Sequence, residues 1–201
     1  MNSPTDRIVN EYLILRCQDG DAMALFSLIR TWQQPFQRYA SIVTKDPDLA
    51  ADVVQEAWIK IIKALPRLKD PVSFQAWAYR IVNNQCMDVL RKRSTQYRET
   101  NVLDEKINPI GDLEQQEQIQ SLLAQLSNIH RTVLALHYLV GLEIEEIAKI
   151  TNVPKGTVKS RLFNARDKFR ILLTGNKEGE THEPARQTNR SANSGSFANS
   201  I

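Results

Sequence analysis

The sequence predicts an all-α fold made of two small helical domains. Apolar residues recur at spacings of three and four along most of the chain, which is the period of a helix with one buried face. Glycine is scarce, with 7 residues in 201, and no segment shows the apolar–polar alternation of a half-buried strand. A chain of this length suits one or two small domains.

Composition and cysteine usage exclude several classes of protein. The formal net charge is only +3, so the distribution of charge says more about partners than its total. Cys17 and Cys86 are far apart and form no CxxC pair, which argues against a zinc site or a disulfide and predicts two packed thiols. No signal peptide and no apolar run of about 20 residues are visible. We expect a cytoplasmic protein with no cofactor, no metal, no small-molecule substrate and no membrane insertion.

The first two helices are predicted from a stop signal and a cap. The first helix covers about residues 8–19 and ends near Gly20, after which Asp21 is a candidate N-cap for the second. Pro35 lies inside the second helical pattern and predicts a kink or a break. The apolar positions of this second helix include Leu25, Phe26 and Ile29.

Two further helices complete a first domain over residues 8–97. The third helix runs over about 47–65, and the fourth runs from about 73 to 93 with Ser73 as a candidate N-cap. In the third helix a stripe recurs every four residues and is expected to face the core; it consists of Leu49, Val53, Ala57, Ile61 and Leu65.

The chain changes character after this domain. Residues 98–113 are rich in acids, are punctuated by Pro109 and Gly111, and are predicted to form a flexible linker. The helical period returns in a second domain over 114–173. From residue 174 to 201 the chain is polar with almost no large apolar residue, which predicts a disordered tail.

The segment 141–170 has the pattern of a helix-turn-helix. A short helix over 144–150 precedes a turn at Asn152, a residue type that tolerates positive φ. Pro154 suits the first turn of the following helix, where a missing N–H costs nothing. That second helix carries a predicted buried stripe, which consists of Val158, Leu162, Ala165 and Phe169.

The remaining surface of this last helix is densely basic. A helix with one apolar stripe and a basic face suits the DNA major groove, with cations on phosphates and a few polar groups on base edges. A charge run alone more often indicates an ordinary solvated face, but the helix-turn-helix spacing favours DNA. The basic residues are Lys155, Lys159, Arg161, Arg166, Lys168 and Arg170, and the candidate contacts near the helix start are Lys155, Thr157, Lys159, Ser160 and Phe163.

Two acids share one face of the third helix. Asp52 and Glu56 are one turn apart, where like charges repel by about 0.2–0.5 kcal/mol, and a basic partner surface would offset that repulsion. The alternative is that Glu56 pairs with Lys60 one turn further on. Spacing alone favours this alternative.

Aromatic residues, arginines and amides interleave along the fourth helix. Such a mixture is typical of a surface that binds single-stranded nucleic acid, because bases stack on rings while cations meet the backbone. The alternative is that the rings are core, which is favoured for Trp77 because it shares a stripe with Ile81. The set comprises Phe74, Trp77, Tyr79, Arg80, Asn83, Asn84, Arg91, Lys92 and Arg93.

Four segments, in this order and spacing, resemble the extracytoplasmic function (ECF) sigma factors. These are the smallest members of the main bacterial sigma family and have only region 2 and region 4 domains. The resemblance covers about residues 8–173 and implies a transcription initiation factor, not an enzyme, that binds core RNA polymerase, directs it to promoters and promotes DNA melting. The segments are 52–58 (DVVQEAW), 74–84 (FQAWAYRIVNN), 141–148 (GLEIEEIA) and 156–162 (GTVKSRL).

The resemblance also implies partners and residue roles. The family docks on the β′ clamp helices and the β flap of polymerase, its linker threads the active-site and RNA-exit path, and an anti-sigma protein typically holds the free factor inactive. The residues matching the clamp-binding region are Asp52, Gln55, Glu56 and Trp58. The minus-ten surface, which captures a flipped base, comprises the loop before Ser73 with Phe74, Arg80, Ile81, Asn84 and Arg91. The minus-thirty-five surface comprises Lys155, Thr157, Lys159, Ser160, Phe163 and Arg166.

Two positions depart from the family pattern. Glu143 stands where a Ser or Thr usually caps the first helix of the helix-turn-helix, although a carboxylate also suits a helix N-terminus. Asn164 stands where arginine is common, so the family's minus-thirty-five preferences do not transfer directly.

Other classes explain less of the sequence. A dimeric helix-turn-helix regulator would account for 141–170 but not for the N-terminal motifs, and a polymerase adaptor without DNA contacts would leave the basic helix unexplained. An enzyme is not expected, because the histidines lie in no nucleophile or metal constellation and no phosphate-binding glycine loop is present. The histidines are His130, His137 and His182.

Overall fold

The computed structural model describes residues 4–100 and 114–174, with side chains over 7–95 and 119–174. These residues are almost entirely helical and contain no strand, which confirms the predicted all-α fold. None of the described helices combines the length and apolarity needed to cross a bilayer. The predictions of a flexible linker and a disordered tail fall mainly on residues 101–113 and 175–201, outside the described part of the chain.

The first domain is a packed group of four helices. Two 3-10 turns, Leu65–Arg67 and Pro71–Ser73, lead from the third helix into the fourth. The Gln18 side chain donates to the carbonyls of Leu65 (3.0 Å) and Leu68 (2.8 Å) and so ties this connection to the first helix. The helices are α1 (Pro4–Gln18), α2 (Ala22–Thr44), α3 (Pro47–Ala64) and α4 (Phe74–Thr100).

Aspartate caps begin α2 and α3. The Asp21 carboxylate accepts the N–H groups of Met23 and Ala24, which confirms the predicted cap, and Asp46 accepts the N–H of Leu49. The Arg16 guanidinium donates to the Asp21 carboxylate across 2.8 Å, and this bond and the two amide donors hold the pKa of Asp21 below its usual range. Each cap satisfies donors that the first helical turn leaves unpaired.

Three details of the helices differ from the sequence prediction. Helix α2 continues through Pro35, so of the predicted kink or break the break does not occur; Trp32 and Phe36, buried on either side of the proline, hold the helix against the core. The buried stripe of α2 lies beside the predicted one, and Phe26 is 61% exposed. Helix α4 continues to Thr100, because no glycine or proline stops it at residue 93. The buried stripe comprises Ala24, Leu28, Trp32 and Phe36.

An aromatic cluster forms the core of the first domain. The Tyr79 ring lies edge-on to Phe36 (centroids 5.1 Å apart) and to Tyr39 (5.3 Å), and Trp58 lies 5.4 Å from Phe36. The Tyr39 hydroxyl donates to the side-chain oxygen of Asn83 at 2.9 Å, so the polar end of this ring is satisfied inside the core. Burial raises the pKa of both Tyr39 and Tyr79.

Cys86 packs beside this cluster. It is fully buried, and burial raises the pKa of its thiol to about 12, which leaves it protonated and inert at neutral pH. Cys17 is half-buried, and burial raises the pKa of its thiol as well.

The second domain is a smaller group of helices ending in the helix-turn-helix. Ser127 caps α6 by accepting the N–H of His130, and a π-helical turn, Ala135–Leu139, continues α6 before the chain turns at Gly141 (φ +80°). The helices are α5 (Glu114–Ala124), α6 (Asn128–Leu134), α7 (Ile144–Thr151) and α8 (Lys155–Thr174).

The two domains pack directly against each other. Helices α2 and α4 contact α6, the π turn and α7, and apolar side chains from both domains form one continuous buried cluster. The Gln75 amide of α4 donates to the carbonyl of Val140 at 3.0 Å across this boundary. The sequence pattern predicts two domains but contains no sign that they share a core.

A buried arginine joins the domains. Arg131 of α6 is 1% exposed, and its guanidinium donates to the carbonyls of Leu126 (2.8 Å) and Ala124 (3.2 Å) within its own domain. It also donates to the carbonyl of Val43 (3.1 Å), in the last turn of α2, where helical carbonyls lack partners within the helix. The cation therefore lies at the negative end of α2 and links the first domain to the α5–α6 turn.

We predict that Arg131→Met lowers the free energy of unfolding by about 2–3 kcal/mol, because the carbonyls of Ala124, Leu126 and Val43 lose their donor while remaining buried. Urea unfolding of the full chain measures this effect. The control is Arg170→Met, which removes an exposed arginine paired with Asp167 of its own helix and is expected to cost about 0.5 kcal/mol or less. Equal effects of the two substitutions would contradict the role of Arg131.

Candidate nucleic-acid interface

Helix α3 presents a mixed acidic and apolar face to solvent. Asp52, Gln55 and Glu56 are exposed on this face, and Ile59, 41% exposed, follows them about one turn further along. No ion pair joins Glu56 to Lys60 in the described structure, so the pairing that the spacing of these residues favoured does not form. The sequence prediction did not include Ile59, although an apolar residue about one turn beyond the acidic pair could have indicated it.

Trp58 does not belong to this face. It is only 6% exposed, its ring packs on Phe36, and its indole N–H donates to the side-chain oxygen of Gln33 at 2.7 Å. The helix period places Trp58 about 160° around α3 from Glu56, on the core side with Val54. Trp58 therefore lies in the core, where it orients α3, and its predicted place on the polymerase-facing surface is corrected.

Helix α4 carries an exposed ridge of two arginines and an amide. Arg80, Asn84 and Arg91 follow one another at spacings of four and seven, so they lie on one side of the helix. Arg91 lies 3.6 Å from Asp88, in a pair that is largely exposed on both sides. Ile81 is half-buried at the edge of this ridge.

The rings of α4 are mostly core. Phe74 is fully buried against Trp32 (centroids 5.5 Å apart), so a base cannot stack on it in this arrangement, and its predicted place on the surface is corrected. Trp77 is half-buried beside Phe74. The buried row of α4 passes through Phe74, Ala78 and Val82. Ala78 and Val82 each follow by one residue the pair predicted to be buried, Trp77 and Ile81.

The helix-turn-helix has the geometry that its sequence predicts. Asn152 ends α7 in the left-handed conformation (φ 53°, ψ 47°), as its place in the turn predicts. Glu143 begins α7, and the side chain of Glu146 reaches back to accept the Glu143 N–H at 2.9 Å, so the helix start does not depend on a Ser or Thr. Pro154 lies just before the first residue of α8.

A salt bridge joins the two helices of the motif. The Lys155 ammonium lies 2.7 Å from the Glu145 carboxylate, and this hydrogen bond keeps the pKa of Glu145 below its usual range. Both side chains are more than half exposed, so the bridge orients Lys155 more than it stabilises the fold.

Helix α8 separates apolar, polar and basic residues around its circumference. The predicted stripe is buried at Val158, Leu162 and Ala165, with Phe169 half-buried. At about 100° per residue, Ser160 lies opposite this stripe. Phe163 and Asn164 lie to the two sides of Ser160, at about 60° and 40° respectively. Basic residues flank this centre on both sides; they are Arg161 and Lys168 on one side and Lys159, Arg166 and Arg170 on the other.

The residues predicted to contact the minus-thirty-five element therefore lie on the solvent side of one helix. Phe163 is 66% exposed although it is a large apolar residue, and Thr157 is half-buried. Gly156 also lies on this surface, and a Cβ there would meet nothing within 4 Å, so packing does not require the glycine. The remaining members, all exposed, are Lys155, Lys159, Ser160 and Arg166.

His130 lies beneath the basic helix. Burial, together with the positive charges of Lys168 and Arg161, lowers the pKa of its imidazole, and its Nδ1 atom is buried without a hydrogen-bond partner in the described structure. The folded state thus favours the neutral ring. Within the described residues, no group of three His, Cys, Asp or Glu side chains comes close enough to hold a metal ion.

We predict that His130 makes stability pH-dependent. Because its pKa is lower in the folded state, the unfolded chain binds the proton first, and unfolding becomes easier as the pH falls below about 6.5, the ordinary imidazole value. His130→Gln is expected to flatten the change in denaturation midpoint between about pH 8 and pH 5.5. His137→Gln, which alters a ring bonded to the Leu142 carbonyl, is the control and is expected to retain the slope. An unchanged slope in His130→Gln would contradict the assignment.

Two family models match the chain in the order of its domains. Residues 28–96 match the model for sigma-70 region 2, and residues 116–169 match the model for sigma-70 region 4. The first match covers all of α3 and most of α2 and α4. The second covers all of α6 and α7 and most of α5 and α8.

Curated relatives match over most of their own length. The chain is 30% identical to the RNA polymerase sigma factor SigV of Bacillus subtilis over 155 residues, which is 75% of this chain and 91% of the relative. It is 30% identical to the RNA polymerase sigma-H factor of Pseudomonas aeruginosa over 79% of this chain and 90% of the relative. It is also 30% identical to the ECF RNA polymerase sigma-E factor of Escherichia coli K12, over 81% and 93%.

Two solved structures share the fold. One is the sigma factor RpoE in complex with the anti-sigma factor NepR from Bartonella quintana, with a TM-score of 0.67 and 24% identity over 76% of this chain and 98% of that one. The other is CnrH in complex with the cytosolic domain of CnrY, with a TM-score of 0.62 and 24% identity over 83% and 97%.

Proposed function

Since the chain belongs to the ECF sigma factors, transcription initiation factors that bind core RNA polymerase and direct it to promoters, we propose that three of its exposed surfaces divide this work. The proposal is carried by one observation. The acidic face, the arginine–amide ridge and the basic helix are all exposed while the residues between them are core. Regulation by helix-turn-helix binding alone does not explain the region 2 match over 28–96.

The α3 face docks on polymerase in this proposal. Asp52 and Glu56 supply negative charge for a basic partner, and Ile59 supplies apolar area that becomes buried on docking. Gln55 adds an amide on the same face. The partner surface is the β′ clamp helices, and the lack of a Glu56–Lys60 pair in the described structure leaves the carboxylate available to it.

The α4 ridge holds the melted strand at the minus-ten element. Arg80 and Arg91 attract the phosphate backbone, and the Asn84 amide offers a donor and an acceptor to an unpaired base. The connection that Gln18 ties down, residues 65–73, lies directly before this helix and is the proposed site for a flipped base. Capturing that base in a pocket couples recognition to melting.

The α8 surface docks in the major groove at the minus-thirty-five element, and region 4 contacts the β flap. The basic flanks lie on both sides of a polar centre, as a helix between two phosphate backbones requires. The positions that name the two promoter elements differ by about 25 base pairs, roughly 85 Å of duplex at about 3.4 Å per base pair. Two domains in direct contact do not span that distance, so the boundary held by Arg131 and Gln75 opens on the promoter.

An anti-sigma protein is the proposed inhibitory partner. One structural neighbour, RpoE, was solved with the anti-sigma factor NepR, and the other, CnrH, with the cytosolic domain of CnrY. The packed domains of this chain offer such a partner a preformed target that differs from the separated arrangement on a promoter. A partner that stabilises the packed arrangement would therefore compete with promoter binding.

The test of the proposed function is binding of the full chain to core RNA polymerase, followed by run-off transcription on a pool of genomic promoters. Binding with promoter-specific transcripts is the expected result. A protein that ignores polymerase but shifts duplex DNA by itself would overturn the proposal in favour of a simple helix-turn-helix regulator.

We predict that Glu56→Lys weakens binding to core polymerase about tenfold, because it places a cation where the partner surface is basic. Affinity is measured by titrating labelled full-length chain with core polymerase at two salt concentrations. The matched control is Asp19→Lys, which reverses an exposed acid just after α1 and is expected to leave affinity within about twofold. Equal losses in both variants would indicate a general charge effect and remove Glu56 from the docking face.

We predict that Asn84→Ala reduces transcription from matched promoters at least about tenfold while leaving polymerase affinity unchanged, because the amide acts on the melted strand. Permanganate reactivity of the minus-ten region reports open-complex formation, and titration with core polymerase reports affinity. Parallel loss of polymerase binding and transcription would count against this role for Asn84.

A further inference from the structure

We propose that Asn164 reads an adenine in the minus-thirty-five element and so sets the base preference of α8. This inference rests on the proposed function, because it requires α8 to lie in the major groove. Asn164 is exposed about 40° from Ser160, on the side of α8 opposite the buried stripe. It was not among the contacts that the sequence predicted.

The Asn164 side chain has no hydrogen-bonding role within the described part of the fold. It is exposed, and its amide makes no hydrogen bond in the described structure, whereas neighbours on the exposed part of the helix are engaged within it. The Ser160 hydroxyl donates to the Thr157 carbonyl at 3.0 Å, and Asp167 pairs with Arg170 at 2.6 Å. Asparagine is also a weaker helix former than alanine, so local propensity does not favour it here. Asn164 is thus an uncommitted donor–acceptor pair near the centre of the surface.

The chemistry of that pair selects one base. A carboxamide presents an acceptor and a donor group in one plane, which matches the N6 amino group and N7 of adenine in the major groove. A guanine edge offers two acceptors and prefers arginine or lysine. The basic residues flanking α8 lie about 80–120° from Ser160, where their long side chains reach phosphates on either side. Lys168, the cation one turn beyond Asn164, belongs to these flanks.

Phe163 places an apolar surface on the other side of Ser160. It is 66% exposed, and an aromatic side chain in the major groove makes favourable contact with the methyl group of thymine. The expected element therefore contains an adenine read by Asn164 and a nearby thymine whose methyl group contacts Phe163.

The experiment uses holoenzyme assembled from core polymerase and the full chain, with a promoter library randomised over the minus-thirty-five element. Bound promoters are sequenced. The wild type is expected to enrich an adenine at one position about tenfold, and Asn164→Ala is expected to lose that enrichment while other positions keep theirs. Asn164→Arg is expected to change the same position to guanine. Gln120→Arg adds the same charge at an exposed position of α5 and is expected to leave the base preference unchanged.

The outcomes separate this inference from the proposed function. If the wild type enriches an element and both Asn164 variants enrich the same bases, Asn164 reads no base and the inference is overturned. If Asn164→Arg raises affinity for every sequence without a preference for guanine, the position contacts phosphate and the inference also fails. Failure of the wild type to enrich any minus-thirty-five sequence would overturn the proposed placement of α8 itself.

Discussion

The packing of aromatic rings between α2, α3 and α4 is the constraint on which the exposed surfaces of the first domain depend. Phe36 contacts rings from both neighbours, Trp58 of α3 and Tyr79 of α4. Once these rings are buried, the rotation of each helix about its axis is fixed, because successive residues are about 100° apart. The same packing that hides Trp58 therefore turns Glu56 outward, and the burial of Tyr79 turns Arg80 outward.

The second domain achieves a similar separation with a shorter apolar stripe. Val158, Leu162 and Ala165 commit one side of α8 to the core, and the short side chain of Ala165 lets the helix lie close to its neighbours. The left-handed turn at Asn152 fixes the angle at which α8 leaves α7. A rigid helix with its cations at the flanks leaves sequence discrimination to a few central side chains, so promoter preference can vary without altering the fold.

The boundary between the domains combines apolar packing with a small number of polar bonds. Arg131 satisfies carbonyls on both sides, and Gln75 reaches the backbone carbonyl of Val140, just after the π turn. In the packed state, the guanidinium and amide donors bond protein carbonyls, and when the domains part these donors can bond water instead. Separating the domains therefore costs less free energy than exposing a purely apolar interface of the same area. Such a boundary suits the proposed separation of the two domains on a promoter.

The sequence by itself determined the local structure and the chemical character of each surface. Caps such as Asp21 and the left-handed Asn152 were predictable because a cap involves only neighbouring residues. The basic helix and the acidic pair on α3 were predictable because a helix groups residues three and four apart.

Tertiary structure alone decided which ring is core and which row of apolar residues is buried, as Phe26, Trp58 and Phe74 show. It also decided that Arg131 would bridge two domains. These outcomes depend on contacts between residues distant in sequence, and a helical period of 3.6 residues does not distinguish adjacent rows until a partner packs on one of them.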